Sequence, residues 1–170
     1  MTEAIINYGN KITHENNLRE QRKFFNIGTY DISSIITHIN NNYEINLSAY
    51  NQKIYEKTFE KSEKMKFHVD DCGLMKHGKN TVLRCNNIII SNKYSLYHKK
   101  ALPIYTIIIY LSAIGIDFVG GEFMFSDGDT YSPNKYDVLL FNSMEVHCVK
   151  PIIDGTRRCI LIKFYEQFTA

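Results

Sequence analysis

Apolar positions fall into two different rhythms along this chain. Between residues 31 and 41, DISSIITHINN, isoleucines stand at 32, 35, 36 and 39, the spacing of one helical face, and Asp31 is placed to cap the first turn. Further along, the rhythm shortens toward alternation. Seven stretches rich in β-branched and aromatic residues, 45–55, 63–70, 104–112, 121–125, 136–142, 145–151 and 156–165, predict strands. Gly and Asp gather at DFVGG, SDGD and IIDG, where the chain has to turn. One amphipathic helix needs an apolar surface to lie on, and only strands are there to provide it. The expectation is an α+β fold, mainly β, with antiparallel pairing.

One stretch breaks the pattern. Residues 71–103 read as irregular and are long for a connection inside a compact domain, a length that usually goes with function or mobility. Six basic residues, Lys76, Lys79, Arg84, Lys93, Lys99 and Lys100, stand there against Asp71 alone. Gly73 and Gly78 give the segment freedom to move, and Ile88, Ile89 and Ile90 supply an apolar underside. It predicts a basic lid that attracts an acidic partner, against the simpler reading of a solvated strip.

Length and composition then narrow the class. At 170 residues the chain is read as one domain, 1–170, with a helical part over about 1–45 and a β core over about 46–166. Twenty Lys and Arg against 18 Asp and Glu give a formal charge of +2, no whole-protein signature of nucleic-acid or membrane binding. No basic leader and no membrane-length apolar run are present, so a soluble, cytoplasmic protein is expected. The four cysteines, at 72, 85, 148 and 159, are too scattered for a disulfide framework and fit free thiols in a reducing compartment. Frequent Asn, Ile, Lys and Tyr match an AT-rich genome, as in some large DNA viruses acting in a host cell.

Candidate chemistry starts at FHVDD, residues 67–71. In an extended strand, side chains two apart leave the same face, so His68 and Asp70 point together. His147 opens a later predicted strand, and Arg157 opens another ten residues on, past turn residues Asp154 and Gly155. In a closed antiparallel sandwich these strands can approach each other. Two imidazoles and one carboxylate then make the facial triad of non-haem Fe(II) oxygenases, which leaves three coordination positions open. A zinc set of Cys72, His77, Cys85 and His98 is the weaker alternative, since its spacings match no common zinc pattern.

Four motifs in order make the resemblance specific. They are His68-Val69-Asp70; the strand Tyr105 to Ser112, YTIIIYLS; Gly120-Gly121-Glu122-Phe123-Met124-Phe125; and His147 with Pro151 and Gly155-Thr156-Arg157. The chain resembles the Fe(II)- and 2-oxoglutarate-dependent dioxygenases, close to the prolyl 4-hydroxylase catalytic domains. That resemblance implies a double-stranded β-helix, or jelly roll, with the N-terminal helix packed on its major sheet. It implies His68, Asp70 and His147 on iron, and Arg157 on the distal carboxylate of 2-oxoglutarate, helped by the Tyr110 hydroxyl. Ascorbate is a further expected cofactor. Thr106 shares the face of Tyr110 by alternation and is expected to line the same pocket, whereas Arg158 should face the opposite way.

Two positions depart from the family pattern: Ser112 stands where an Asn is usual, and the upstream segment YEKTFEKSEKMKFH lacks the usual glycine. The implied activity is hydroxylation of a protein or peptide side chain, proline first, with an acidic segment as a candidate substrate. A nucleic-acid dealkylase on the same fold is the rival enzyme, and Lys163 occupies the place of that family's second arginine. A non-catalytic jelly-roll binding module is the rival outside enzymes.

Overall fold

The computed structural model describes residues 18–68, 70, 73–77, 80–85, 88–89 and 103–165. After a 3-10 turn at Arg19–Gln21, the chain forms β1 (Lys23–Asn26), helix α1 (Ile32–Asn42), and β2 (Asn51–Phe59). It continues through β3 (Met65–His68), β4 (Gly73–His77), β5 (Asn80–Cys85), β6 (Ile88–Ile89) and β7 (Pro103–Tyr110). The rest is β8 (Phe118–Gly120), β9 (Phe123–Phe125), β10 (Thr130–Tyr131), β11 (Asp137–Asn142), β12 (His147–Val149), β13 (Ile152–Gly155) and β14 (Arg157–Tyr165). The fold is mainly β with one α-helix among the described residues, as the two rhythms predict.

Two antiparallel sheets carry the site: a five-stranded one in the order β1-β11-β7-β14-β2 and a four-stranded one in the order β10-β9-β12-β3. Central strands β7 and β11 are buried on both faces, which is why they read as near-continuous apolar runs. Their alternation sorts the side chains. Ile107, Ile109, Val138 and Leu140 pack toward Ile35 and Ile39 of α1. Ile108, Tyr110, Leu139 and Phe141 pack the other way, against Phe123, Phe125 and Val149 of the four-stranded sheet.

Helix α1 illustrates how tertiary packing outweighs propensity. ISSIITHINNN is rich in β-branched and Asn residues that are mediocre helix formers. The Asp31 side chain accepts from the Ser34 backbone N–H at 2.9 Å and its hydroxyl at 2.6 Å, and Ile35 and Ile39 are fully buried on the sheet. Cap and apolar stripe together hold the eleven-residue helix.

Several elements depart from the sequence reading. Residues 47–49 form a 3-10 turn and the strand starts at Asn51, running on to Phe59; the polar run EKT hides it because it lies at an exposed edge. The segment 71–103, expected to be irregular, contains the antiparallel strands β4, β5 and β6. The proposed lid behaviour and the zinc set Cys72, His77, Cys85 and His98 rest on side chains outside the described residues. Asp154 and Gly155, expected in a turn, belong to β13, which pairs with β8 through Asp154 and Val119 and through Gly155 and Phe118. Gly121 has φ +68°, and a Cβ there would run into the Ile152 and Phe118 side chains, so the GGE stretch needs its glycine for backbone conformation and for close approach.

Candidate metal centre and co-substrate cavity

His68 closes β3 and His147 opens β12, and the two are directly paired across the sheet. Their rings lie 4.3 Å apart between centroids. Asp70, two residues beyond β3, is drawn in by a backbone bond from its N–H to the Ser143 carbonyl at 3.2 Å. Its Oδ1 then lies 3.4 Å from His147 Nε2 and 3.9 Å from His68 Nε2. One ligand atom from each residue fits within 4.8 Å of the others.

The hydrogen bonds around this trio fix which atoms are offered. His68 Nδ1 donates to the Lys66 carbonyl at 2.6 Å, and His147 Nδ1 donates to the Glu145 carbonyl at 2.8 Å. A carbonyl only accepts, so each neutral ring carries its proton on Nδ1 and presents a bare Nε2 lone pair to the centre. Asp70 Oδ2 accepts a short hydrogen bond from Thr106 Oγ1, which is in turn 2.9 Å from Ser143 Oγ. That leaves Oδ1 to point inward. This donor set fits a divalent transition metal with open positions.

Electrostatics agree with the geometry. Burial, then the neighbouring His147, hold His68 below its ordinary value. Burial pushes Asp70 upward, but His147, Lys163 and Thr106 more than offset it, and its carboxyl stays below the usual range. Both groups are therefore in their ligating forms at neutral pH. The Phe123 ring stacks on His147 at 5.0 Å and 19°, and Phe141 meets its edge at 4.9 Å, so the imidazole cannot rotate away.

The trio lines a cavity of about 210 Å³, with Phe59, Met65, Ile108 and Leu161 among its apolar walls and Arg157 also part of its lining. Arg157 is 1 % exposed. Its guanidinium lies 4.9 Å from the Phe59 ring centre and 5.1 Å from that of Tyr110. Arg157 Nε and Tyr110 Oη are buried and have no hydrogen-bond partner in the protein. A buried guanidinium with an orphaned Nε, beside an orphaned hydroxyl, is what a carboxylate would satisfy. Burial pushes the Tyr110 phenol up to about 12, so it stays a donor.

The sequence-derived residues thus divide. His68, Asp70 and His147 come together; Arg157 faces the cavity; Tyr110 packs behind Arg157. Arg158 points outward to Glu56 at 2.7 Å, as alternation requires. Thr106 is on the expected face, yet its hydroxyl serves Asp70 instead of Arg157. The register explains this: Tyr110 lies opposite Cys159, two residues from Arg157, whereas Thr106 lies opposite Lys163.

Two residues of the site were missed, Lys57 and Arg22. Lys57 lines the cavity beside Lys163, and strict alternation from Arg157 with the β2 pairing would have found it. Arg22 grips Glu145, with Nε to Oε2 at 2.8 Å and a second, shorter contact from Nη2 to Oε1, beside the carbonyl that receives His147. No local pattern signals a contact across 123 residues.

No family model and no curated relative matches the chain. Among solved structures it is similar to the viral collagen prolyl hydroxylase of Paramecium Bursaria Chlorella virus-1 in its 2OG complex, with 14 % identity over 97 % of this chain and 90 % of that one and a TM-score of 0.54. It is similar to a Pseudomonas putida prolyl-4-hydroxylase at 11 % identity, 97 % and 83 % coverage and TM-score 0.50. A Trichoplax adhaerens prolyl hydroxylase in complex with a hypoxia inducible factor peptide fragment matches at 16 %, 85 % and 63 %, and 0.50. The chain carries the fold of the prolyl hydroxylase-like domain of the Fe(II)- and 2-oxoglutarate-dependent dioxygenases.

Proposed function

We propose that the protein is an Fe(II)- and 2-oxoglutarate-dependent dioxygenase that hydroxylates a protein or peptide side chain, with proline as the first candidate. The observation that carries this is the joint placement of two bare Nε2 atoms and one carboxylate oxygen within 4.8 Å on a cavity that also holds a dry arginine with an unpartnered Nε. The facing sheets are read as a jelly roll, and the fold shared with prolyl hydroxylases favours a peptide substrate.

In this reading His68 Nε2, His147 Nε2 and Asp70 Oδ1 hold the metal. Thr106 keeps Asp70 aimed, and the Lys66 and Glu145 carbonyls keep both imidazoles in the ligating tautomer. Arg157 takes the distal carboxylate of 2-oxoglutarate through a charge-assisted, two-pronged pair, with the Tyr110 hydroxyl as an added donor. Iron, when bound, supplies the oxygen activation and bond cleavage; the side chains orient and desolvate. None need act as a general base.

The deciding experiment incubates the protein with Fe(II), 2-oxoglutarate and ascorbate against a panel of proline-containing peptides and alkylated oligonucleotides. Succinate release that requires both iron and 2-oxoglutarate, with a gain of one oxygen in a peptide, is the expected result. Dealkylation of an oligonucleotide would instead favour the rival to which Lys163 points. Iron-loaded protein that consumes no 2-oxoglutarate with any of them overturns the oxygenase reading.

A further inference from the structure

We infer that Ser143 is a positioning residue of the metal centre, holding Asp70 by its carbonyl and, through the Thr106 hydroxyl, by its own side chain. The inference rests on the metal reading of the trio and goes beyond it by naming what turns a residue past the end of a strand into a ligand.

The histidines and the aspartate are anchored differently. His68 and His147 face each other across β3 and β12 of the four-stranded sheet. Asp70 lies past the end of β3 and takes its place from the five-stranded sheet instead. Ser143 is the residue after β11; its N–H donates to the Ile104 carbonyl of β7 at 2.9 Å, and its carbonyl accepts from the Asp70 N–H at 3.2 Å. Phe141 and Asn142 pair with Thr106 and Tyr105, so the chain leaves β11 alongside β7. There Ser143 Oγ comes within 2.9 Å of Thr106 Oγ1. Ser143 and Thr106 are both fully buried, and no water competes for this contact.

Proton counting fixes its direction. Ionised Asp70 only accepts, so the one Thr106 hydroxyl proton is committed to Oδ2. Ser143 Oγ is then the donor to Thr106 Oγ1. The order runs from Ser143 to Thr106 to Asp70, and a hydroxyl that accepts is polarised into a better donor. Without the serine proton, Thr106 keeps its bond to Asp70 but loses the contact that fixes its own torsion. Oδ2 is then held less firmly, and Oδ1 is aimed less well at the point where the three ligand atoms meet.

The same short turn serves His147. Glu145, two residues after Ser143, gives the carbonyl that accepts from His147 Nδ1, and its own N–H is tied to the Asn142 carbonyl at 3.0 Å. Residues 143–145 thereby aim Asp70 and His147 together. Ser143→Ala leaves every backbone bond of the turn in place and removes only the hydroxyl.

The test is Co(II) binding by the full chain, measured by competition against a chromogenic chelator and by the visible spectrum of the bound ion, which reports ligand geometry. Ser143→Ala should weaken binding about two- to tenfold, the worth of one neutral hydrogen bond, and shift the spectrum in the same sense as Thr106→Val. S143A/T106V should bind within about twofold of Thr106→Val alone, because the serine acts through the threonine. Ser143→Cys, which keeps a weak donor in place, should fall between wild type and Ser143→Ala. Wild-type affinity and spectrum in Ser143→Ala, or losses that multiply in the double variant, overturn the inference, and so does a wild-type chain that binds no Co(II). Its fate separates from that of the oxygenase reading. Co(II) binding that depends on Ser143, without succinate formation from any peptide or oligonucleotide, keeps the positioning role and removes the oxygenase. Iron-dependent succinate formation with Ser143→Ala equal to wild type in metal affinity does the reverse.

Discussion

His68 and His147 are cross-strand partners whose rings lie 4.3 Å apart, and each donates Nδ1–H to the carbonyl two residues before it. The shared device makes them equivalent as ligands, but their surroundings are unequal. The His68 side chain is 23 % exposed and that of His147 is 5 %, with His147 wedged between Phe123 and Phe141. His68→Ala should therefore abolish metal-dependent turnover and leave the unfolding midpoint nearly unchanged. His147→Ala should abolish turnover and also cost about 2 kcal/mol of stability from the void among the aromatic rings. Denaturant unfolding beside a succinate assay checks both; wild-type succinate release by either variant would remove the triad.

Arg157→Ala should raise the 2-oxoglutarate requirement steeply, by about 2 to 5 kcal/mol in binding terms, because a dry charge-assisted pair loses one partner. Arg158→Ala breaks only an exposed contact with Glu56 and should change the requirement by less than about 1 kcal/mol. Isothermal titration with 2-oxoglutarate on the metal-loaded variants distinguishes them, and equal effects would show that the wrong arginine faces the cavity.

Thr106→Val keeps the shape of a fully buried side chain and removes the hydroxyl from Asp70. Support of this kind behind a metal ligand is worth about 10- to 100-fold in affinity, so metal binding should weaken by that order while Thr106→Ser retains most of it. Competition against a chromogenic chelator measures this. An unchanged affinity in the valine variant would make Thr106 a packing residue.

Acid should destabilise the metal-free protein in a window set by His68. Burial and the neighbouring His147 hold its folded-state value below the ordinary 6.5, so as pH falls the unfolded chain takes up a proton before the folded one does. Stability is then lost between 6.5 and the depressed folded value, and is fully present above 6.5. Urea midpoints across that range should slope downward with acid, and His68→Asn should flatten the slope. A slope identical in the variant would assign the titration elsewhere.

How much of this was legible without coordinates follows from where each interaction lives along the chain. The helix could be read because its cap and its four isoleucines lie within nine residues, and the trio because motif order is a local signal. Asp70 itself lies beyond the end of β3 and is placed by the Ser143 carbonyl and not by strand alternation. Arg157 and Arg158 were sorted by parity alone. β1 and the end of β2 were lost because short or edge strands carry little apolar alternation, and 71–103 was misjudged because its basic and Asn residues mask strands that, among the described residues, pair with one another. Thr106 shows the limit of parity: it gives the face of a strand, but the partner on that face depends on register with a strand 57 residues away. Arg22 lay beyond any such rule.

Arg22 supplies the last prediction. Its side chain is 5 % exposed and bonds Glu145, Asp129 at 2.7 Å and Asp127 at 2.9 Å, with the guanidinium 3.7 Å above the Phe125 ring. Phe125 pairs with His147 across β9 and β12, and Glu145 carries the carbonyl that orients the His147 ring. Arg22→Ala leaves the Glu145 carboxylate buried and without its cation, a change that costs about 3 kcal/mol, and it loosens both supports of His147 at once. Arg22→Lys should rescue little, since one ammonium cannot reproduce a planar fork that meets three carboxylates while stacking on an aromatic face. Removing the carboxylate as well, in R22M/E145Q, should recover part of the stability because no buried charge is stranded, while metal affinity stays reduced. Unfolding midpoints and chelator competition on the three variants check this. Metal affinity unchanged in all three would confine Arg22 to stability and leave His147 held by the Glu145 carbonyl and its aromatic neighbours without help from the arginine.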